Sequence, residues 1–102
     1  MSQMAKPIYK VWFVKPNESW YELTTEEQNK LMAHNTESLK QVGAEIILFC
    51  NSAWSSEEWL FWGVEKYPDI EAAQMHADNL ASVNWFKYGE SKVYLGTEMP
   101  QE

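Results

Sequence analysis

The chain reads as an α+β domain: a four-stranded antiparallel sheet with both helices on one face. Three observations predict it. Four stretches rich in β-branched and aromatic residues are separated by turn residues. Two helical patterns open on N-terminal caps and end on stop residues. The second and third strands lie too close together for a crossover, so they pair as a hairpin. The order strand, helix, strand, strand, helix, strand is the split βαβ arrangement, and the handedness of crossovers selects its winding.

The first strand is Ile8 to Val14 (IYKVWFV), preceded by Pro7 and ended by Lys15-Pro16-Asn17. A polar loop follows to about Leu23. Thr24 with Glu27 fits a capping box, in which each side chain satisfies the other residue's free backbone N–H. Thr25 with Gln28 fits it as well. The first predicted helix then runs to about Val42, with Gly43 at the left-handed stop. Ala44 to Cys50 (AEIILFC) is the second strand, Asn51 to Ser56 a polar turn, and Glu57 to Lys66 the third strand. Pro68 disfavours helical geometry at Tyr67. Asp69 caps a second predicted helix that reaches at least Ala81 and continues irregularly toward Tyr88 and Gly89. Ser91 to Gly96 is the last strand, and Thr97 to Glu102 a frayed tail.

Residues 1–102 are expected to form a single domain, of a size that buries roughly two-thirds of its unfolded surface. The chain is 45% hydrophobic and 15% aromatic, far from a disordered composition. Net charge is −7, and all eight basic residues are lysines. Nucleic-acid binding needs a basic surface, so no nucleic-acid partner is expected. Without arginine there is no bidentate fork for phosphate or carboxylate. Cys50, the sole cysteine, makes neither an internal disulfide nor a multi-cysteine metal site. The leading MSQMAKP is neither a secretion signal nor an apolar span, and no window reaches the roughly 20 apolar residues of a membrane helix. A cytoplasmic protein without a membrane partner is the expectation.

A sheet covered on one face should alternate apolar and polar residues. This one does not. In the first strand Ile8, Lys10, Trp12 and Val14 oppose Tyr9, Val11 and Phe13; in the second, Ala44, Ile46, Leu48 and Cys50 oppose Glu45, Ile47 and Phe49; in the third, Leu60, Trp62 and Val64 oppose Trp59, Phe61 and Gly63. Two helices cover one face. The other would be a large apolar patch on a monomer, so a homodimer, sheet against sheet, is expected.

With the elements so placed, the chain resembles the dimeric α+β barrel superfamily of ferredoxin-like proteins. The sharpest local part is Val64 to Leu80 (VEKYPDIEAAQMHADNL), similar to the strand-to-helix segment of the antibiotic-biosynthesis-monooxygenase type. A small uncharacterised family within that group, with a Trp before the first helix and Tyr-Pro-Asp before the second, looks closest. The resemblance implies a ligand held between helices and sheet. It also implies cofactor-independent oxygenase, isomerase or haem-degrading activities as candidates. Haem-degrading relatives pair the helix histidine with a first-strand asparagine and a tryptophan ending the third strand. Here only the histidine position is met, so no cofactor is expected.

The candidate site residues follow. The first predicted helix places Leu31, His34, Asn35, Ser38, Leu39 and Val42 on one stripe. Its polar members either satisfy one another or line a cavity. His76 lies on the flank of the stripe Ile70, Ala73, Ala77 and Leu80, at the histidine position of the resembled monooxygenases. An imidazole there exchanges protons near neutral pH. His34 and His76 are thus the candidate catalytic groups. Asn35, Ser38, Trp12, Trp62 and Met75 are the candidate ligand contacts, with Met32 as a second flexible lining residue. No HxH or HExxH spacing suggests a metal. The expected function is binding of an apolar or amphipathic organic molecule, acyl or polycyclic, with oxygenase or isomerase chemistry as its enzymatic form. The competing expectation is a structural or regulatory homodimer without a pocket.

Overall fold

The structure, a computed structural model, describes residues 6–100. The end of the predicted C-terminal tail and most of MSQMAKP lie outside those residues. The elements in chain order are β1 (Ile8–Pro16), α1 (Glu18–Tyr21), α2 (Thr25–Gln41), β2 (Glu45–Asn51), β3 (Phe61–Tyr67), α3 (Ile70–Ala81), a 3-10 turn (Trp85–Tyr88) and β4 (Gly89–Gly96). The sheet order is β2-β3-β1-β4, antiparallel throughout.

The caps form as the local chemistry dictates. Thr24 Oγ1 accepts from Glu27 N at 3.1 Å, and Glu27 Oε1 accepts from Thr24 N at 2.8 Å. Asp69 accepts from Ala72 N at 2.8 Å and starts α3. Gly43 takes φ +77°, the left-handed conformation that ends α2.

β1 continues to Pro16 and β4 starts at Gly89, each two residues beyond its expected bound, and two larger differences stand beside them. The predicted loop before Leu23 holds α1, because Asn17 caps it by accepting from Trp20 N. The third strand starts at Phe61, not Glu57. Residues 52–60 form a loop held by Ser52, whose N–H donates to Leu60 O and whose hydroxyl donates to Trp59 O.

Register decides which residues meet the helices. β1 pairs with β3 as Ile8↔Tyr67, Lys10↔Glu65, Trp12↔Gly63 and Val14↔Phe61. All of these lie on the helix side, opposite Leu95, Val93 and Ser91 of β4. β2 contains a bulge between Ile46 and Leu48. The extra residue shifts the alternation, so Ile46 and Phe49 both point to the helix side. Strict alternation would have separated them. Gly63 makes room for the Trp12 indole: a Cβ there would sit 2.6 Å from Trp12 Cζ2 and 2.8 Å from the Leu48 carbonyl oxygen.

The helices pack tightly on only one end of the sheet. Leu39 of α2, Tyr67 of β3 and Ala73 of α3 form the core there, flanked by Ile8, Val42, Ala44 and Ala72. The opposite sheet face carries Val11, Phe13, Trp62, Val64, Leu48 and Tyr94 with no helix over it. Both sheet faces are therefore apolar, as the strand patterns indicate, and Leu48 and Tyr94 remain 41% and 55% exposed.

Candidate functional site

His76 is placed by α3. The buried stripe of that helix is Ala73, His76 and Leu80. Ile70 is exposed, and so is Ala77. The helix is thus rotated relative to the predicted stripe, which puts His76 at the centre of the buried face and not on its flank. It is 1% exposed.

A buried imidazole needs partners, and α2 supplies them. Asn79 Nδ2 donates to Ser38 Oγ at 2.9 Å, and Ser38 Oγ lies 2.8 Å from His76 Nδ1. Ser38 Oγ thus joins the Asn79 amide to His76 Nδ1 and holds the ring in place. Nε2 makes no hydrogen bond within the described residues, and His76 lines the cavity. Burial, then the neighbouring Lys10 charge and then His34, pushes the His76 pKa down to about 4, so the ring is neutral at pH 7. His34 Nε2 donates to the Asn79 carbonyl oxygen at 3.0 Å and ties α2 to the same turn of α3.

Two charged residues inside the strands complete the polar end. Glu65 is buried, and its Oε1 accepts from Tyr67 OH at 2.6 Å. Lys10 Nζ lies 3.8 Å from the same oxygen, beyond hydrogen-bond length. Burial holds the Lys10 ammonium below its ordinary pKa, with Glu65 acting in opposition. Burial and the Glu65 carboxylate push the Tyr67 phenol well above its usual range.

Beyond this polar end the helices and sheet diverge around a cavity of about 390 Å3. That is within the ordinary span of small-molecule pockets, roughly 300–1,000 Å3. Its sheet wall includes Trp12, Phe49, Phe61 and Val93; Trp20, Met32, Trp85 and Phe86 face it from the other side. Lys10, Glu65, His76 and Asn35 are its polar lining, with Ser91 at the rim of β4. Trp12 Nε1 is the one buried side-chain nitrogen without a hydrogen-bond partner among the described residues.

Of the predicted site residues, His76, Asn35 and Trp12 reach this cavity together, as does Met32. Ser38 stands behind His76 and bonds its Nδ1, while His34 bonds the Asn79 carbonyl oxygen and does not line the cavity. Trp62 does not belong to the cavity. It pairs with Phe13 and Cys50 on the far face, one residue out of phase with Gly63 and Phe61. Met75 does not either: it lies one helical step from His76 and is 58% exposed. Lys10 and Glu65 escaped sequence reading, because a charge inside a strand reads as a solvent-facing residue. The available signal was the opposite-charge pair within IYKVWFV and FWGVEKY, two otherwise apolar strands.

Among the described residues no cluster of three His, Cys, Asp or Glu could hold a metal ion, and no helix is long and apolar enough to cross a membrane. No family model matches the chain, and no curated protein matches it. Solved structures do. A chlorite dismutase variant from Candidatus Nitrospira defluvii superposes with TM-score 0.75 at 18% identity, over 97% of this chain and 43% of that one. This chain therefore spans less than half the length of that enzyme's chain. A Bacteroides thetaiotaomicron protein of unknown function, described as a possible oxidoreductase, matches with TM-score 0.57 at 21% identity, over 91% of this chain and 98% of that one. A dimeric ferredoxin-like protein of unknown function from Thermobifida fusca matches with TM-score 0.59 at 10% identity, over 96% of each chain. At these identities the likeness speaks to architecture alone, and the chain has a ferredoxin-like α+β fold.

Proposed function

We propose that this chain is a homodimeric binding protein for an apolar or amphipathic organic molecule, acyl or polycyclic, held between the helices and the sheet. The observation that carries this reading is the cavity of about 390 Å3, with aromatic walls and a polar inner end. A homodimer with a filled interior would have no use for such a space. An apolar ligand gains from burial at about 25 cal/mol per Å2 of apolar surface. The polar groups at one end orient it.

The bare sheet face supports the dimer. Val11, Phe13, Trp62, Val64, Leu48 and Tyr94 form an apolar patch across all four strands, edged on the same face by Lys66 and Lys92, and a second copy of the same face is the economical cover. The Thermobifida fusca protein of the same fold is described as dimeric. Oxygenase or isomerase chemistry without a cofactor would use His76 as the proton carrier, its ring held by the Ser38 hydroxyl at Nδ1.

Tryptophan quenching by 2-isopropylnaphthalene, an apolar probe, tests the reading. The parent should show saturable quenching, and Val93→Trp, which fills the cavity from its sheet wall, should weaken it at least tenfold. Equal quenching of both proteins would refute a ligand site in this cavity.

A further inference from the structure

We propose that Lys10 is a carbonyl-reactive amine, forming an imine with an aldehyde or ketone that the cavity holds. The inference rests on the binding reading above and adds a covalent activity to it. Its basis is the placement of Lys10. The residue sits mid-strand in β1 on the helix side, lines the cavity, and its side chain is 16% exposed. A buried lysine kept for stability would be expected in a well-made ion pair. Lys10 has no such pair. Its nearest carboxylate oxygen, Glu65 Oε1, is 3.8 Å away and already takes the Tyr67 hydroxyl at 2.6 Å. The Tyr67 ring centroid is 6.0 Å from Nζ. Glu65 and the Tyr67 ring are thus beside Nζ, and His76 lines the same cavity near enough to feel the Lys10 charge.

Desolvation is what turns a lysine into a nucleophile, because it disfavours the ammonium relative to the amine. Here burial lowers the Lys10 pKa and the weak pair with Glu65 only partly restores it. His76, neutral at pH 7, lines the same cavity as a polar group beside the amine.

The step balances without any co-reactant. The Lys10 amine lone pair attacks the carbonyl carbon, and a C–N bond forms as the C=O π pair moves onto oxygen. Glu65 takes a proton from the nitrogen and returns it to that oxygen. The carbinolamine loses water, leaving the C=N bond. The two amine hydrogens and the carbonyl oxygen depart as that water. The apolar walls favour the dehydration by keeping bulk water away from the imine.

The experiment is reductive trapping. The full chain is incubated at pH 7 with 2-naphthaldehyde and sodium cyanoborohydride, and the adducts are mapped by peptide mass spectrometry. Lys10 is one of eight lysines, so selectivity is the readout. The expected result is labelling of Lys10 at least tenfold faster than of any other lysine, slowed by saturating 2-isopropylnaphthalene. Lys10→Arg should lose the fast adduct while the other seven lysines label at the parent's rates. Labelling spread over the exposed lysines, with Lys10 no faster, overturns the imine proposal. If the hydrocarbon still binds in that case, the cavity reading stands without it. If the hydrocarbon does not bind, both fall. Fast Lys10 labelling that the hydrocarbon fails to slow also overturns the proposal, since the amine would not be acting within the cavity.

Discussion

Acidification should destabilise this protein through His76 in particular. The ring is buried and neutral in the folded state, with its pKa pushed down to about 4 from an ordinary 6.5. The unfolded chain binds a proton there below pH 6.5; the folded chain does not until near pH 4. Stability from this group is therefore full above pH 6.5 and is lost as pH falls from 6.5 to 4. The complete shift corresponds to an upper limit of about 3 kcal/mol, and between pH 7 and pH 5 the expected loss is about 2 kcal/mol. Water entering the cavity trims both figures, since His76 is buried from bulk solvent but lines an open space. For a domain of this length about 2 kcal/mol lowers Tm by about 10 °C. Many carboxylates also titrate over this range, so the informative quantity is a difference. Thermal unfolding of the parent and of His76→Gln is followed from pH 7 to pH 5 at one protomer concentration, because dimer dissociation would otherwise enter. The parent should lose about 2 kcal/mol more than the variant. Parallel pH profiles would refute the buried neutral imidazole and the Ser38–His76–Asn79 network that explains it. Direct titration of the ring by NMR offers a second check, and a midpoint at 6.5 or above would contradict the account.

Other perturbations follow from single contacts. Gly63→Ala should cost about 1–3 kcal/mol in urea unfolding, because the added methyl meets the Trp12 ring and the rigid Leu48 carbonyl; an unchanged midpoint would mean that the indole does not lie across Gly63. Tyr67→Phe removes the 2.6 Å bond to Glu65 and should cost about 1–3 kcal/mol, with a neutral effect pointing to water in its place. Thr24→Ala should cost about 1 kcal/mol by opening the capping box of α2. Val64→Lys puts a charge on the bare sheet face and should convert the proposed dimer to protomers in light scattering; a parent of protomer mass, or a variant of unaltered mass, would contradict the sheet-to-sheet interface.

The βαββαβ order was legible because it rests on local signals. Thr24, Glu27, Gly43 and Asp69 act within a few residues of themselves, and the structure uses each in its expected role. The polar stripe of α2 was equally visible, since Ser38 and Leu39 are its buried centre. What was not visible depends on long-range pairing. The bulge in β2 decides that Phe49 joins Ile46 on the helix side, and nothing in AEIILFC marks the extra residue. The parity that sends Trp12 inward and Trp62 outward is fixed only when β1 is laid against β3. Lys10 and Glu65 become a pair by the same registration. The rotation of α3 that centres His76 depends on Ser38, thirty-eight residues earlier, offering it a hydroxyl.

The six tryptophans provide the most direct test of the central claim, that a small apolar molecule enters between helices and sheet. Trp12, Trp20 and Trp85 line the cavity. Trp62 and Trp59 pack against Phe13 of the far face, and Trp54 is 85% exposed in the loop after β2. In a 15N-indole NMR titration with 2-isopropylnaphthalene, the resonances of Trp12, Trp20 and Trp85 should shift together to saturation while the other three stay in place. Movement confined to Trp59 and Trp62, or no movement at all, would contradict the assignment of this cavity as the binding site.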